Sequence, residues 1–425
     1  MAQGLSTPRG TVDVLPDEAG KRDRIVQLAA DLFGAAGYRH IDTPIFESTE
    51  LFKRGVGGST DIVRKEMYSF EDNGGREITL RPEGTASVAR AYVQHGMQKL
   101  PQPVKLWYSG PFFRYERAQA GRQRQFAQLG AEVLGSDAPA VDAELIALLH
   151  QLLLAVGCQG VRLRLGSLGS IEARASYRQK LQDYLRAHES DLSEDVVSRI
   201  DENPLRAFDA DDPGTQGVMA SAPLLLDELA GDDADHFAEV RLLLDAVGVP
   251  YEIDPTLVRG LDYYTRTVFE FTSDALGAQS GVGGGGRYDG LVEQLGGPAT
   301  PGAGWAAGFE RMLLAAGDRL EVAPRVVDLF VAAEDDPAAR RSAFTYAAQL
   351  RAAGLRVEID LVGRSTNAQL KAAAKLGARA KAVALADGSV VLDRERDTPV
   401  SAEELAERLT LSVPSDPTPQ GATTA

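Results

Sequence analysis

The sequence is poor in metal-binding and disulfide-forming residues. Cys158 is the only cysteine among 425 residues, which excludes an internal disulfide and is typical of a reducing cytosol. The five histidines are scattered and form no His/Cys cluster with zinc-site spacing. No stretch reaches the ~20 consecutive apolar residues that span a bilayer, and the N-terminus has no apolar signal core. These absences predict a cytoplasmic protein with no membrane segment and no zinc site. Any metal is expected to be Mg²⁺ that arrives with a phosphate compound and is held by carboxylates.

Common nucleotide-binding and hydrolase signatures are missing as well. The sequence has no Walker motif, no G-x-S-x-G and no kinase motif set. A G-x-G-x-x-G pattern at Gly281, Gly283 and Gly286 follows SDALGAQS, which is no strand, so a dinucleotide-binding fingerprint is not indicated. Glycine here is expected to let the backbone pass close to a ligand or to another strand. The net charge of −16 disfavours nucleic-acid binding through general charge.

The most informative stretch runs from Leu106 to Leu134. The apolar run LWYSGPFF, an Arg/Gln-rich loop and a second apolar run, FAQLGAEVL, predict two antiparallel strands joined by a long basic loop. Lys105 to Gln125 contains five basic residues and one acidic residue, so its local charge is +4 in an acidic chain. This reversal indicates either an anion-binding site or an ordinary solvated surface hairpin.

Two helices and a broken strand are expected before this hairpin. Residues 17–36 predict an amphipathic helix capped by Asp17. YRHIDTPIF predicts a short strand interrupted by Pro44, which indicates a sheet edge or an interface. Residues 77–81 alternate like a strand, and Thr85 is expected to cap a helix that begins after it.

Glu83 lies between that strand and that helix. A carboxylate beside a helix N-terminus is favourably placed and is either a ligand contact or a second helix cap. The sequence alone leaves both interpretations open.

The later part of the chain changes character twice. Residues 171–248 are acidic and helical, which predicts an insertion without chemistry of its own. From residue 326, short apolar strands alternate with helices around 337–353 and 366–376, which predicts a separate α/β domain with a partly parallel sheet. A last helix is expected near 402–409.

Several segments together resemble the histidyl-tRNA synthetase family of class II aminoacyl-tRNA synthetases. YRHIDTPIFES, GPFFRYERAQAGRQRQFAQLGAEVLG and GWAAGFERMLLA are similar to the three class motifs, and RPEGT also matches. LVRGLDYYTRTVFE and GGGRYDGL are similar to motifs confined to the histidine enzymes. The resemblance covers roughly residues 5–410. Ala118 and Ala127 depart from the usual family residues, which bears only on the shape of the loop.

The resemblance implies an architecture. It is an α+β catalytic core built on an antiparallel β-sheet flanked by helices, with a helical insertion and a C-terminal α/β anticodon-binding domain. The predicted boundaries are 1–170 and 251–322 for the core, 171–250 for the insertion, 326–412 for the anticodon-binding domain and 413–425 for a disordered tail.

The resemblance also implies which cations bind ATP. Arg114 would hold the α-phosphate, and Arg122 and Arg311 the γ-phosphate side. Arg259 would lie between the substrate carboxylate and the α-phosphate as a fixed cation, where other members of the class rely on metal. Arg114 and Arg259 are therefore the implied catalytic residues.

The implied histidine and tRNA contacts come from the same motifs. The residues implied at the α-amino end of histidine are Glu83, Gly84, Thr85 and Gln128. Those implied around the imidazole ring are Glu132, Tyr263, Tyr264 and Tyr288. Those implied to contact the acceptor end of the tRNA are Arg117 and Gln119.

The implied function is a histidine–tRNA ligase that forms histidyl-adenylate from L-histidine and ATP, with Mg²⁺ carried by ATP, and then charges tRNA(His). The implied state is a homodimer with Pro44 at its interface. Arg364, Lys371 and Lys375 are weak candidates for anticodon contacts. Two alternatives are a catalytically silent paralogue that regulates a histidine-biosynthesis enzyme and a general nucleic-acid binder. The paralogues lack both the C-terminal domain and the arginine of LVRGLDYY, which this chain retains.

Overall fold

The chain divides after Val322 into two compact units. The structure is a computed structural model, and it describes residues 5–58, 60–117, 121–277, 280–322, 326–393 and 395–411. Each unit has hydrophobic clusters of its own.

The first unit is mixed α and β. Its helices are α1 (Pro16–Ala35), α2 (Thr49–Gly55), α3 (Thr85–Gln94), α4 (Pro139–Val156), α5 (Ile171–Ala187), α6 (Glu194–Val197), α7 (Pro213–Met219), α8 (Gly231–Ala246), α9 (Leu291–Gln294) and α10 (Phe309–Ala316). Its strands are β1 (Arg39–His40), β2 (Phe46–Ser48), β3 (Tyr68–Glu71), β4 (Glu77–Leu80), β5 (Val104–Phe113), β6 (Gln125–Leu134), β7 (Val161–Ser167), β8 (Glu252–Ile253), β9 (Thr265–Ser273), β10 (Gly281–Arg287) and β11 (Gly302–Gly308).

An eight-stranded sheet forms the centre of this unit, in the order β1-β5-β6-β11-β10-β9-β7-β8. The six inner strands are antiparallel to one another, and the short edge strands β1 and β8 pair in parallel with β5 and β7. The β5–β6 hairpin confirms the two strands predicted on either side of the basic loop. Leu129, Ala131 and Val133 alternate along β6 and are fully buried in the main core. The opposite face of β6 carries Gln128 and Glu132, because side chains alternate along a strand.

Helices α1, α4 and α10 pack on the core side of the sheet. By length and composition alone, α4 is the one helix of the described chain that could cross a membrane. Its Leu145, Ile146 and Leu149 are fully buried within the main core. The apolar face of α4 therefore packs inside this protein unit.

Strand β10 (GVGGGGR) is glycine-rich and lies between β9 and β11. A Cβ added to Gly285 would lie 1.9 Å from the carbonyl oxygen of Gly304 on β11. The interpretation of these glycines as a close backbone approach is confirmed, and the backbones that approach are those of the neighbouring strands.

The predicted insertion, residues 171–250, contains helices α5–α8 and short 3-10 turns but no strand, and all of its residues are described. A separate antiparallel sheet, β2-β4-β3, precedes the hairpin. The predicted broken strand around Pro44 appears as β1 and β2, on different sheets. The helix predicted for 17–36 is confirmed as α1, but it begins at Pro16 with Leu15 in the cap position. The predicted Asp17 cap is wrong, because proline takes the first helical position without needing a backbone N–H.

The second unit is an α/β domain. Its strands are β12 (Leu329–Ala333), β13 (Val357–Ile359), β14 (Ala380–Ala384), β15 (Val390–Leu392) and β16 (Glu395–Pro399), and its helices are α11 (Pro337–Ala352), α12 (Thr366–Lys375) and α13 (Ala402–Leu411). The sheet order is β13-β12-β14-β15-β16, with β12 parallel to both of its neighbours. The predicted partly parallel sheet is confirmed.

Candidate active site

A cavity of about 710 Å³ in the first unit is lined by four of the arginines singled out above, and also by Arg164 of β7. The four are Arg114 directly after β5, Arg122 before β6, Arg259 in the loop before β9 and Arg311 in α10. Glycines of β10 and Gln128 of β6 line the same space. The structure thus brings together all four cations that the resemblance assigns to ATP and the reacting carboxylate.

Contacts within the protein fix two of these arginines. The Nη1 atom of Arg259 lies 2.8 Å from Glu270 Oε1, and Glu270 also pairs with Arg164 at 3.3 Å. The Nε atom of Arg114 donates to the carbonyl oxygen of Pro82 at 2.9 Å, and its guanidinium lies over the ring of Phe126. Fixed guanidinium groups are suited to phosphate oxygens because they keep their geometry when the anion arrives.

The other two arginines lie close to each other. Burial lowers the pKa of Arg311, and the charge of Arg122 lowers it further. The Nε atom of Arg311 donates to the carbonyl oxygen of Gly281 on β10, and Arg122 lies 3.4 Å from Glu116. A polyanion bound between two repelling cations would relieve their repulsion.

Two buried polar atoms at the cavity have no hydrogen-bond partner in the described part of the chain: Arg259 Nε and Gln128 Oε1. Leaving such groups unpaired is costly, so they mark places where a ligand supplies the missing contact. The first needs an acceptor and the second a donor. A substrate that carries both a carboxylate or phosphate and an amino group offers both.

A second group of polar side chains lies fully buried at the sheet, apart from the cavity lining. Glu132 accepts from Thr85 Oγ1 at 2.7 Å and from Tyr108 at 3.2 Å through Oε1, and from Tyr288 at 2.6 Å through Oε2. Gly304 on β11 lies opposite Glu132, and a Cβ there would be 1.7 Å from Oε2. The missing side chain of Gly304 therefore leaves room for the carboxylate.

Burial raises the pKa of Glu132 to about 8, against the opposing effect of hydrogen bonds from Tyr288 and Thr85. Burial also raises the pKa of Glu83, although backbone amides act in the opposite direction. The negative charge of Glu83 raises the pKa of Glu132 further, because a neighbouring like charge disfavours ionisation.

The start of α3 differs from the sequence prediction. The helix begins at Thr85 with Gly84 as its cap, so the predicted Thr85 cap is wrong. The carboxylate of Glu83 accepts the amides of Thr85 and Ala86 at 2.8 and 2.9 Å, as the cap interpretation of Glu83 proposed. Thr85 does not cap the helix because its hydroxyl donates to Glu132 instead.

Two further tyrosines complete this buried group. The ring of Tyr263 lies 4.7 Å from that of Tyr264 and 5.7 Å from that of Tyr288, measured between centroids. The hydroxyl of Tyr263 lies 3.5 Å from Glu83. Seven of the eight residues implied for histidine thus belong to this buried group, and the eighth, Gln128, lines the cavity.

Some predicted residues do not join either group. Arg117 is exposed and does not line the cavity, and Gln119 lies outside the described residues. Lys105, which contributed to the +4 charge, pairs instead with Glu144 of α4 at 2.7 Å. In the described ranges, no group of three or more His, Cys, Asp or Glu side chains could hold a metal ion.

Two residues at these sites were missed: Tyr108, which contacts Glu132, and Glu270, which fixes Arg259. Glu270 is the last residue of the segment LVRGLDYYTRTVFE, and its place in that segment could have marked it as a site residue. Tyr108 lies in the predicted strand β5, where the sequence pattern does not distinguish it from a residue of the hydrophobic core.

Comparison with known proteins gives consistent results. A family model for histidyl-tRNA synthetase matches residues 10–312. The histidine–tRNA ligase of Desulforamulus reducens is 50% identical over 374 residues, which are 88% of this chain and 89% of that protein. The chain belongs to the histidyl-tRNA synthetase family.

Solved structures agree with membership of the histidyl-tRNA synthetase family. The apo histidyl-tRNA synthetase of Staphylococcus aureus superposes with a TM-score of 0.78 at 34% identity, over 96% of this chain and all of that one. A Bacillus halodurans protein described as an ATP phosphoribosyltransferase regulatory subunit/histidyl-tRNA synthetase has a TM-score of 0.65 at 22% identity, covering 91% and 99%, and shares the fold. The predicted α+β fold and the predicted class of enzyme, an ATP-dependent ligase, are confirmed.

Proposed function

We propose that the chain activates L-histidine with ATP, giving histidyl-adenylate and pyrophosphate, and then transfers histidine to the 3′ end of tRNA(His). The observation that carries the proposal is the juxtaposition of an arginine-lined cavity with a buried carboxylate–hydroxyl group. The arginines of the cavity suit a polyphosphate. The buried carboxylate of Glu132, with the hydroxyls around it, suits a small side chain with ring nitrogens.

In the first step two anions must meet, the substrate carboxylate and the α-phosphate. Arg114 and Arg259 would stabilise the charge that develops as the carboxylate oxygen attacks phosphorus and pyrophosphate leaves. Arg122 and Arg311 would hold the departing β- and γ-phosphates, with Mg²⁺ entering as part of the ATP substrate. Cations that are already in place need no rearrangement during the reaction, which lowers the barrier.

The amino acid would be held from both ends. Gln128 Oε1 is a buried acceptor that has no partner among the described residues, which suits the α-amino group, together with Glu83, Gly84 and Thr85. Glu132 would accept an imidazole N–H, and Tyr263, Tyr264 and Tyr288 would enclose the ring. A site built to hydrogen-bond polar atoms rejects analogues that lack them by roughly 10⁴–10⁵-fold.

The second step needs the tRNA. The terminal ribose hydroxyl would attack the adenylate carbonyl, with Arg117 and Gln119 as proposed contacts to the acceptor end. Residues 326–412 would bind the anticodon, which proteins read from unstacked bases. The domain boundaries, the cytoplasmic location and a homodimer assembled around Pro44 are further parts of this proposal.

The test is histidine-dependent exchange of labelled pyrophosphate into ATP by the purified protein, followed by charging of tRNA(His). Exchange that depends on histidine and not on the other standard amino acids is expected. An absence of histidine-dependent exchange would show that the proposal is wrong.

A further inference from the structure

Three hydroxyl groups converge on the carboxylate of Glu132. Two of them, those of Thr85 and Tyr288, belong to segments that the resemblance assigns to histidine binding. The third belongs to Tyr108 of β5, whose hydroxyl donates to Glu132 Oε1 at 3.2 Å. Tyr108 is only 5% exposed and lies outside the cavity lining, so its contact is with the carboxylate.

The surrounding chain leaves room for the Tyr108 ring. A Cβ added at Gly84 or at Gly130 would lie 2.3 Å from its Cζ atom. Gly130 lies directly opposite Tyr108 in the β5–β6 pairing, and Gly84 caps α3. Two separate elements therefore lack a side chain beside the phenol end of the ring, which indicates that this position accommodates a tyrosine hydroxyl.

The hydrogen-bond directions follow from the charge. An ionised carboxylate can only accept, and it offers about four lone-pair sites. In Glu132 two sites of Oε1 are taken by Thr85 and Tyr108, and one site of Oε2 by Tyr288. Within the described ranges, one acceptor site on Oε2 therefore remains for a further N–H donor.

We propose that Tyr108 is a positioning residue that sets side-chain specificity, because its hydroxyl orients the Glu132 carboxylate to accept an imidazole N–H. The inference rests on the proposed function. Tyr108 itself need not touch the substrate. Its removal would leave Oε1 with one donor, Thr85, and would hold the carboxylate less firmly in its orientation.

The pH dependence of histidine binding distinguishes this role from general support of the fold. The hydroxyl of Tyr108 opposes the rise in the pKa of Glu132, so its loss raises that pKa further. The titratable groups around Glu132 are Tyr38, Glu83, Tyr108, Tyr263, Tyr264 and Tyr288. All except Tyr108 remain in a Tyr108→Phe variant, so they affect both proteins alike.

The experiment compares the wild type, Tyr108→Phe and Tyr92→Phe in histidine-dependent pyrophosphate exchange. Tyr92 is a matched control, since its buried hydroxyl donates to Gln102 at 3.1 Å and does not contact Glu132. For Tyr108→Phe, KM for histidine is expected to rise about tenfold, with KM for ATP unchanged. The ratio of variant to wild-type KM should grow as the pH falls from about 9 to about 7, because less of the variant's Glu132 stays ionised.

A thiazolylalanine substrate, whose ring has no N–H, provides the specificity test. The preference of Tyr108→Phe for histidine over this analogue should fall about tenfold, and that of Tyr92→Phe should match the wild type. A pH-independent KM ratio, or equal changes in all parameters, would overturn the inference. A wild type without histidine-dependent exchange would instead refute the proposed function.

Discussion

Arg259 combines a buried Nε, which has no hydrogen-bond partner in the described part of the chain, with an ion pair to Glu270 on the cavity wall. In Arg259→Ala, Glu270 keeps its contact with Arg164, so the fold is expected to persist. The lost cation would have acted mainly in the transition state. We expect kcat for pyrophosphate exchange to fall roughly 10²–10³-fold, with a much smaller change in the Kd for histidine measured by calorimetry.

Arg162→Ala is the control for this prediction. Arg162 is an exposed arginine of β7 whose partner, Asp274, is also exposed. The Arg162→Ala variant should have the wild-type kcat for pyrophosphate exchange and the wild-type Kd for histidine. Equal losses of kcat and histidine affinity in Arg259→Ala would indicate a structural role for that arginine.

Gly304 tests whether the space around Glu132 matters. In Gly304→Ala the new Cβ would collide with Oε2 and with the carbonyl of Ala131. The carboxylate must move, which should raise KM for histidine about 100-fold and lower the unfolding free energy by about 1–3 kcal/mol. Exchange kinetics and urea unfolding followed by circular dichroism measure both effects.

Gly217→Ala is the matched control, because a Cβ at this exposed position of α7 meets nothing within 4 Å. Alanine is favoured over glycine in a helix, so this variant should be as stable as the wild type or slightly more stable. Unchanged histidine KM in Gly304→Ala would contradict the proposed role of the Glu132 carboxylate.

At the scale of elements, a buried ionic group joins α4, α8 and β10. Asp142 lies 2.7 Å from His236 and 2.7 Å from Arg287, and Arg287 also reaches Asp289 at 3.1 Å. Arg287 is fully buried directly before Tyr288. This group therefore fixes the end of β10 from which the Tyr288 hydroxyl reaches Glu132.

Asp142→Asn should destabilise the protein by about 3–5 kcal/mol, because it leaves the charge of Arg287 buried with less compensation. Burial alone would raise the pKa of Asp142, but the His236 hydrogen bond and the Arg287 charge outweigh it, and the pKa is lowered. The stabilisation is therefore present above the usual aspartate pKa, about 3.9, and is lost as the pH falls through the lower folded-state value. Urea unfolding at several pH values should show a larger acid loss of stability in the wild type than in Asp142→Asn, in which other carboxyl groups with lowered pKa values, such as Asp233 and Asp254, remain.

Asp274→Asn alters an exposed ion pair and serves as the control. At every pH its urea midpoint should lie close to that of the wild type at the same pH. If the urea midpoint of Asp142→Asn is also close to that of the wild type, the ionic group around Asp142 does not hold α4, α8 and β10 together.

The sequence predicts local features better than distant partners. The β5–β6 hairpin follows from alternation and loop composition, and its strands lie within a few residues of the predicted ones. The His236–Asp142 and Arg287–Asp142 contacts join residues 94 and 145 positions apart. No local pattern encodes such pairings, since they depend on how helices pack on the completed sheet. For the same reason Tyr108 could not be told from a core residue.

At the scale of the molecule, the division after Val322 separates two units with their own buried clusters. A protein that ends at Val322 should therefore fold and retain pyrophosphate exchange within about tenfold of the full chain. Charging of tRNA(His) should fall at least about 100-fold, because the proposed anticodon contacts are gone. Full charging activity in the truncated protein would contradict the role proposed for residues 326–412.

The proposed homodimer predicts an apolar contact surface near Pro44. Ile45, Phe46 and Phe70 are 45–55% exposed beside and on the β2-β4-β3 sheet. Phe46→Glu should shift the protein from dimer to monomer in sedimentation velocity, because a buried unpaired carboxylate opposes association. Phe344→Glu, at a similarly exposed phenylalanine of the second unit, should leave the mass unchanged. A wild type that sediments as a monomer would refute the dimer.

The glycine-rich strand β10 has a dynamic consequence. Glycine runs are commonly associated with mobility, yet this one is the fifth strand of eight and is mostly buried. Its amides are paired on both sides with β9 and β11, and slow exchange with deuterium reflects such pairing. The amides of residues 283–286 should therefore be among the last in the first unit to take up deuterium, and their exchange should require global unfolding. Strand β10 would then be the most rigid part of the lining of the arginine cavity.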